Sequence, residues 1–370
     1  MPYVECALPK YPCQADMWDE LQNIKKPIVV YGMGNGADKL IARFAKYGIE
    51  IADFFASDGF VRGHFFHGKR VKSFSEIKEE YSDFVIVLSF ASARAEVLDM
   101  LSKINDEYDL VIPDMPVADE TEYFDRAFYN DNYENILQAY NSLVDAESKN
   151  AFASILNYKL TGRMKYLLGA YSEKEELYAL LNRICIENYV DAGAYNGDTL
   201  REAEKYFPSL KRALAIEPDP KNFKKLTKYT DTVENIDVTA LNAAVWCECA
   251  DGEFASSGNR NSSVNATPSY EHKSASVPLV CLDSVIDWRV DFIKYDVEGA
   301  EYEALLGTNS VIEKDKPTLL VSLYHRSRDI FFIINYLYSR YGEYYDFYIR
   351  RLLCVPAWEI DLILIRKIKT

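Results

Sequence analysis

The sequence predicts an α/β chain built on two doubly wound parallel sheets joined by a helical connector. Three observations carry this. Strand and helix signals alternate over residues 27–118 and again from about residue 185. Between them, from Asp119 to about Asn182, the pattern is helical, with only two glycines to interrupt it. The chain then ends on two strand-like segments, YDFYIRRLL and WEIDLILIRKI, too close together to pair in any way but antiparallel. The expected organisation is a Rossmann-like domain over residues 1–118, a connector over 119–184, and a second Rossmann-like domain over 185–370.

Composition narrows the class. At 370 residues the chain suits two domains, and 49% hydrophobic with 27% charged residues excludes a disordered or low-complexity protein. With 57 acidic against 42 basic residues the net charge is −15, which repels phosphate backbones, so no nucleic-acid partner is expected. No apolar run approaches the ~20 residues of a membrane span, and the start lacks a signal-peptide pattern. Seven scattered cysteines without a framework fit a reducing, cytoplasmic setting and no zinc site.

In the first alternation, PIVVYG reads as a strand and DKLIARFAKYG as an amphipathic helix closed by Gly48. IEIADFFAS and SDFVIVLSF are further strands. Gly32, Gly34 and Ala37 satisfy G-x-G-x-x-G/A between strand and helix, with Asp53 19 residues past Gly34. That pattern predicts a nucleotide or nucleotide-sugar site, or else a degenerate docking module. His64 and His67 have metal-like spacing, but a strand or hairpin there would aim them to opposite faces, so no metal is expected.

In the second alternation, ENYVDAGA, RALAIEP, IDVTALNAAV, DFIKYDVEG and PTLLVSLYH are strands. TLREAEKYF and PKNFKKLTKY are helices, the latter with Pro220 suited to a first turn. Residues 251–278, rich in Ser, Asn and Gly, read as a mobile loop able to close over an acceptor, with Arg260, Asn261 and Ser263 as contacts.

The chemistry concentrates at strand tips. VDAGAYNGDT turns from strand to helix through Gly193 and Gly197, with Asp198 or Thr199 as N-cap. Glu217 stands at the next strand tip, 26 residues after Asp191, where a carboxylate accepts hydrogen bonds from ribose hydroxyls. This pair alone fits NAD and S-adenosylmethionine (SAM) equally. The turn lacks G-x-G-x-x-G, however, and Asp296, Glu298 and Glu301 cluster at a later tip, an acidic setting suited to a cationic ligand. Glu301 and Glu303 read as a solvated helix face.

VDAGAYNGDT, IEPDP, NAAV, CLDSVI, FIKYDVEGAEYEALLG and KPTLLVSLYH, in this order, resemble the FkbM-type SAM-dependent methyltransferase family over roughly residues 185–365. The resemblance implies a methyltransferase fold with SAM as cofactor, O-methylating sugar or polyketide hydroxyls in polysaccharide or related biosynthesis. It implies that Asp191, Gly193, Ala194, Tyr195, Asn196, Gly197, Asp198 and Thr199 line the methionine end of SAM. Glu217 would bind the ribose beside Pro218, Asp219 and Phe223. Asn242, Ala243 and Ala244 would flank the adenine, and Asp296 the ammonium or the acceptor. RDIFFI and YIRRL depart from the family where a Trp and a His are common, both on the acceptor side. His325, at a strand tip, is the first choice of general base and Asp296 the second. The expected partner is a small-molecule or glycan acceptor, and a homo-oligomer is compatible with the sequence. The rival readings are an NAD(P)-dependent sugar oxidoreductase and a non-catalytic scaffold in polysaccharide assembly.

Overall fold

The computed structural model describes residues 5–61, 63–118, 122–256, 263–264 and 273–367. The first sheet holds β1 (Ile28–Tyr31), β2 (Asp53–Ala56), β3 (Lys72–Ser73), β4 (Val85–Leu88) and β5 (Asp109–Val111). They pair in parallel in the order β3-β2-β1-β4-β5. Every residue of β1, β2 and β4 is buried, as expected for short apolar runs covered by helices on both faces. Gly48 ends the helix Asn35–Tyr47 in the left-handed conformation, as its sequence position foretold. The helix Met17–Asn23, capped by Asp16, is an addition that the strand-helix alternation does not announce. It buries Trp18 against Phe44 and Tyr47.

The connector is helical, with five helices between Arg126 and Leu181. The longest, Ala146–Thr161, is buried along most of its length, including Lys159, whose ammonium lies 2.5 Å from Asp114.

The second sheet holds β6 (Asn188–Ala192), β7 (Arg212–Ile216), β8 (Asp237–Leu241), β9 (Phe292–Tyr295), β10 (Thr318–Ser322), β11 (Tyr345–Arg351) and β12 (Ile360–Arg366). Its order is β8-β7-β6-β9-β10-β12-β11, parallel except for β12, which runs antiparallel to β10 and β11. The terminal hairpin is therefore as expected. Pro220 opens the helix Pro220–Thr230 behind the N-cap Asp219.

The stretch 251–278 is not one loop. Ala250–Ser256 pairs antiparallel with Lys273–Val280, which also runs parallel to Ala244–Val245. The segments ADGEFAS and KSASVPLV are made largely of small and polar residues, so they lack the apolar run that marks the other strands in the sequence. Arg260 and Asn261 lie outside the described residues, and Ser263 falls in the short strand Ser263–Val264.

The two sheets and the connector share one contiguous hydrophobic core. Backbone hydrogen bonds also cross between them. Ser92 and Val355 exchange a pair, Val117 and Ala118 both donate to the carbonyl of His325, and Val144 donates to Phe347.

Candidate active site

At the carboxyl ends of β6, β7, β9 and β10 lies a cavity of about 410 Å³. It straddles the gap between β6 and β9, the point where strand order reverses and ligands of open α/β sheets bind. Of the residues expected at a cofactor, Gly193, Tyr195, Asp198, Thr199, Glu217, Pro218, Ala243, Ala244 and Asp296 line it. Asp191, Ala194, Asn196, Gly197, Asp219, Phe223 and Asn242 are not among its lining residues.

Asp191 is fully buried beneath the turn. Thr199 donates to its Oδ2 at 2.5 Å and the Lys294 ammonium lies 3.5 Å from Oδ1. Burial raises its carboxyl above the usual range, with Lys294 opposing. Gly197, not Asp198 or Thr199, is the N-cap of the helix Asp198–Tyr206. The expected capping side chain, Asp198, instead accepts from the neighbouring Thr199 N–H, already within the helix. Ala194 and Phe223 pack into a small core with Ala215 and Leu226.

Glu217 follows the last residue of β7. One carboxylate oxygen accepts from the Tyr195 N–H and the other from the Asp219 N–H, both at 2.8 Å. Burial nevertheless pushes its pKa up to about 8. Asn242 donates to the carbonyls of Glu217 and Pro218, tying the β8 tip to the β7 tip.

The other end of the cavity is acidic. Asp296 accepts from the Tyr324 hydroxyl at 3.0 Å and sits 3.4 Å from the Lys294 ammonium. Burial raises its carboxyl, but Lys294 and His325 outweigh that and carry it below the usual value. Glu298 also lines the cavity, in a left-handed conformation with φ 55°. His325 is fully buried and is not among the lining residues. Its Nδ1 lies 2.9 Å from Glu301 Oε1, and its Nε2 lies 3.4 Å from Glu298 Oε2 and 3.6 Å from Asp296 Oδ1. Burial works against the charged ring, yet Glu301 and Glu298 raise its pKa well above the ordinary value, so it holds its proton. Glu301, expected on a solvated face, is buried and accepts from the Val297 N–H, because its helix starts at the strand tip and turns that first residue inward.

Lys294, Tyr324 and Asp361 line the cavity and were not singled out from sequence. Asp361 had a signal, a lone acid inside the apolar run WEIDLILI. Burial raises its carboxyl well above the usual range.

The first sheet's glycine turn is differently equipped. A Cβ on Gly36 would stand 2.1 Å from the Ser89 carbonyl oxygen, so Gly36 is the close-packing glycine and not Ala37. The space beside Gly32 is filled by Ser89 and Phe90, and Gly34 faces open space. Asp53 is the first residue of β2, at the sheet's amino edge, where it binds Lys72 and Tyr81 and cannot reach a ligand at the carboxyl edge. The crevice above the turn holds about 210 Å³ and is bounded by Pro356 and Trp358 of the second domain, below the ~300 Å³ of small ligand pockets. His64 precedes the hairpin Phe65–Phe66/Lys69–Arg70 and His67 lies in its turn, and their ring nitrogens go to Met33 and Asp38 respectively.

A seven-stranded sheet with one antiparallel insertion, a tight glycine turn after β6 and an acid after β7 define a methyltransferase-type Rossmann fold. Residues 191–347 match the family model of the Methyltransferase FkbM domain. A solved structure of Methyltransferase FkbM from Methylobacillus flagellatus KT is similar over 92% of this chain and 90% of its own, at 21% identity and a TM-score of 0.69, which shows a shared fold. An rRNA methylase from Streptococcus thermophilus is similar at 12% identity over 52% of this chain and 95% of its own, with a TM-score of 0.34. A Streptococcus mutans protein solved in complex with SAH is similar at 10% identity over 53% and 99%, with a TM-score of 0.36. No curated protein sequence matches the chain. Among the described residues, no helix is long and apolar enough to cross a membrane.

Proposed function

We propose that the chain is a SAM-dependent O-methyltransferase acting on a hydroxyl of a sugar or glycan-related acceptor. The observation that carries the reading is the cavity itself, with Glu217 at one end and Asp296 with Glu298 at the other, on a methyltransferase fold. The donor set fits the cofactor: an acidic turn and a buried carboxylate at the second strand tip suit ribose hydroxyls and a cationic methionine end. Bound there, SAM supplies an electrophilic methyl group.

The protein's part is positioning and proton handling. Glu217 accepts from ribose hydroxyls while the Tyr195 and Asp219 amides fix its orientation. Asp296, held by Tyr324 and kept ionised by Lys294, accepts the hydroxyl of the acceptor. His325 sits behind Asp296 as a positioning group, since a ring that keeps its proton is a poor base. Ala93 of the first domain and Leu352 and Leu353 of the second wall the same cavity and exclude water from it. The first domain thus acts as a docking wall, with boundaries near residues 118 and 184, and the enzyme works in the cytoplasm.

Calorimetric titration with SAM, SAH, NAD and nucleotide sugars tests the reading. Binding of SAM and SAH alone, followed by transfer of labelled methyl to a sugar hydroxyl, is expected. Binding of NAD in their place would establish the oxidoreductase reading, and binding of none the scaffold.

A further inference from the structure

Cys249 and Cys281 are 32 residues apart in the chain, yet their sulfurs stand 3.7 Å from each other. A small sheet brings them together. Ala250–Ser256 pairs antiparallel with Lys273–Val280, with Ala250 opposite Leu279, so Cys249 leads into one strand as Cys281 leaves the other. The second strand is held in turn by Ala244–Val245 and by the Trp246 N–H, which donates to the Val280 carbonyl. Both thiols are free, Cys249 exposed and Cys281 half-buried.

The surroundings favour reaction at Cys249. The Ser284 hydroxyl lies 3.0 Å from its sulfur, and the Cys281 N–H donates to the same sulfur at 3.4 Å. These contacts hold its thiol below the ordinary value, and the thiolate is the attacking form in disulfide exchange. Cys247, the nearest cysteine in sequence, is half-buried, and burial together with Glu248 raises its thiol instead.

We propose that Cys249 and Cys281 form a thiol–disulfide exchange site, with Cys249 as the attacking thiol and Cys281 as the resolving one. The co-reactant is a small disulfide of the oxidised-glutathione class. The Cys249 thiolate attacks one of its sulfurs, forming a mixed disulfide and expelling one thiolate. The Cys281 sulfur, having lost its proton, then attacks the Cys249 sulfur and expels the second thiolate. The two cysteines give up two electrons and two protons, which leave on two molecules of small thiol. Their sulfurs need close only from 3.7 Å to the ~2.05 Å of an S–S bond, a distance that side-chain rotation covers. Reversible disulfides of this kind occur in reducing compartments as redox sensors. The bond closes the base of the strand pair, one residue beyond Val280, whose partner Val245 lines the cavity. It therefore braces the strands behind that wall, and the pairing does not rest on the methyl-transfer reading.

The test is incubation of the full chain with oxidised glutathione at neutral pH, followed by peptide mapping by mass spectrometry without reduction. A Cys249–Cys281 cross-link is expected, with the loss of two hydrogens and full reversal by dithiothreitol. Cys281→Ser should stop at a glutathione adduct on Cys249, and Cys249→Ser should give neither adduct nor cross-link at this site. Circular dichroism verifies that both variants fold. A cross-link from Cys249 to Cys247, a wild-type adduct on Cys249 that goes no further, or no reaction at Cys249 overturns the proposal. Amide hydrogen exchange in Lys273–Val280 should slow in the oxidised protein, and equal exchange in the two forms overturns the bracing. Calorimetry with SAH on the reduced protein tests the methyl-transfer reading separately, so the failure of one leaves the other standing.

Discussion

Gly193 and Asp296 meet backbone to backbone across the gap between β6 and β9: a Cβ on Gly193 would stand 1.8 Å from the Asp296 carbonyl oxygen. Gly193 also has φ +88°, a region L side chains rarely adopt. The contact sets the Asp296 carboxylate beside the glycine turn. Gly193→Ala should cost about 1–3 kcal/mol in backbone strain alone and push the two tips apart. The expected result is a lower melting temperature together with weaker SAH binding. Wild-type values for both would show that the tips have room to spare.

Glu217→Ala should leave the fold intact and weaken SAH. The ribose bonds of a charged carboxylate contribute about 1.5–3 kcal/mol, or roughly ten- to hundredfold in affinity. Because the Glu217 pKa is pushed up to about 8, the loss should be largest above that pH and smaller in mild acid. Titration calorimetry on either side of it reads the difference, and equal affinities of variant and wild type would remove Glu217 from the ribose.

The same raised pKa makes stability depend on pH. Between its unfolded value of 4.5 and about 8, folded Glu217 keeps a proton that the unfolded chain releases. The folded state binds more protons there, so this share of stability is present below the unfolded value and is lost as pH rises through that window. Glu217→Gln should flatten the decline, as measured by denaturant unfolding at several pH values. An unchanged slope would assign the decline to other buried acids such as Asp361.

Trp18 lies outside the first strand-helix alternation yet is only 1% exposed, stacked on Tyr47 with Arg43 over its ring. Trp18→Ala should cost about 3–5 kcal/mol. A fragment of residues 27–118 should for the same reason melt lower than one that begins before Asp16. Equal melting temperatures would show that Met17–Asn23 is dispensable to the first sheet.

Lys159 and Asp114 form an ion pair with side chains 2% and 7% exposed, joining the connector to the end of the first sheet. Removing one partner leaves a buried charge alone, so Lys159→Ala should cost about 3–5 kcal/mol. Replacing both by apolar residues of similar size should recover most of it. Chemical denaturation of the single and double variants measures the difference.

The strands, the order of elements and the glycine turn and acid that line the cavity were legible in the sequence because each has a local signature. Apolar runs mark β1, β4, β6 and β9, and Gly193 and Glu217 follow their strands directly. The first sheet's glycine pattern was legible too but misleading. Only the register places Asp53 at the amino edge of β2 and Glu217 at the carboxyl edge of β7, and a spacing count cannot tell one edge from the other. The antiparallel ladder between Ala250–Ser256 and Lys273–Val280 left no trace because its strands are largely small and polar residues without an apolar run.

By itself, then, the sequence determined the α/β class, the turn after β6 and the acid after β7, all set by residues within one strand-turn-helix unit. The tertiary structure decided the acidic end. Asp296 and Glu298 follow β9, His325 follows β10 and Asp361 lies on β12, and their approach depends on which strands are neighbours in the sheet. Burial depends on the same packing, and burial beside charges holds the proton on His325 and sinks Glu301 from an expected solvated face. Desolvation and charge proximity are properties of neighbours in space, so a reading along the chain cannot supply them.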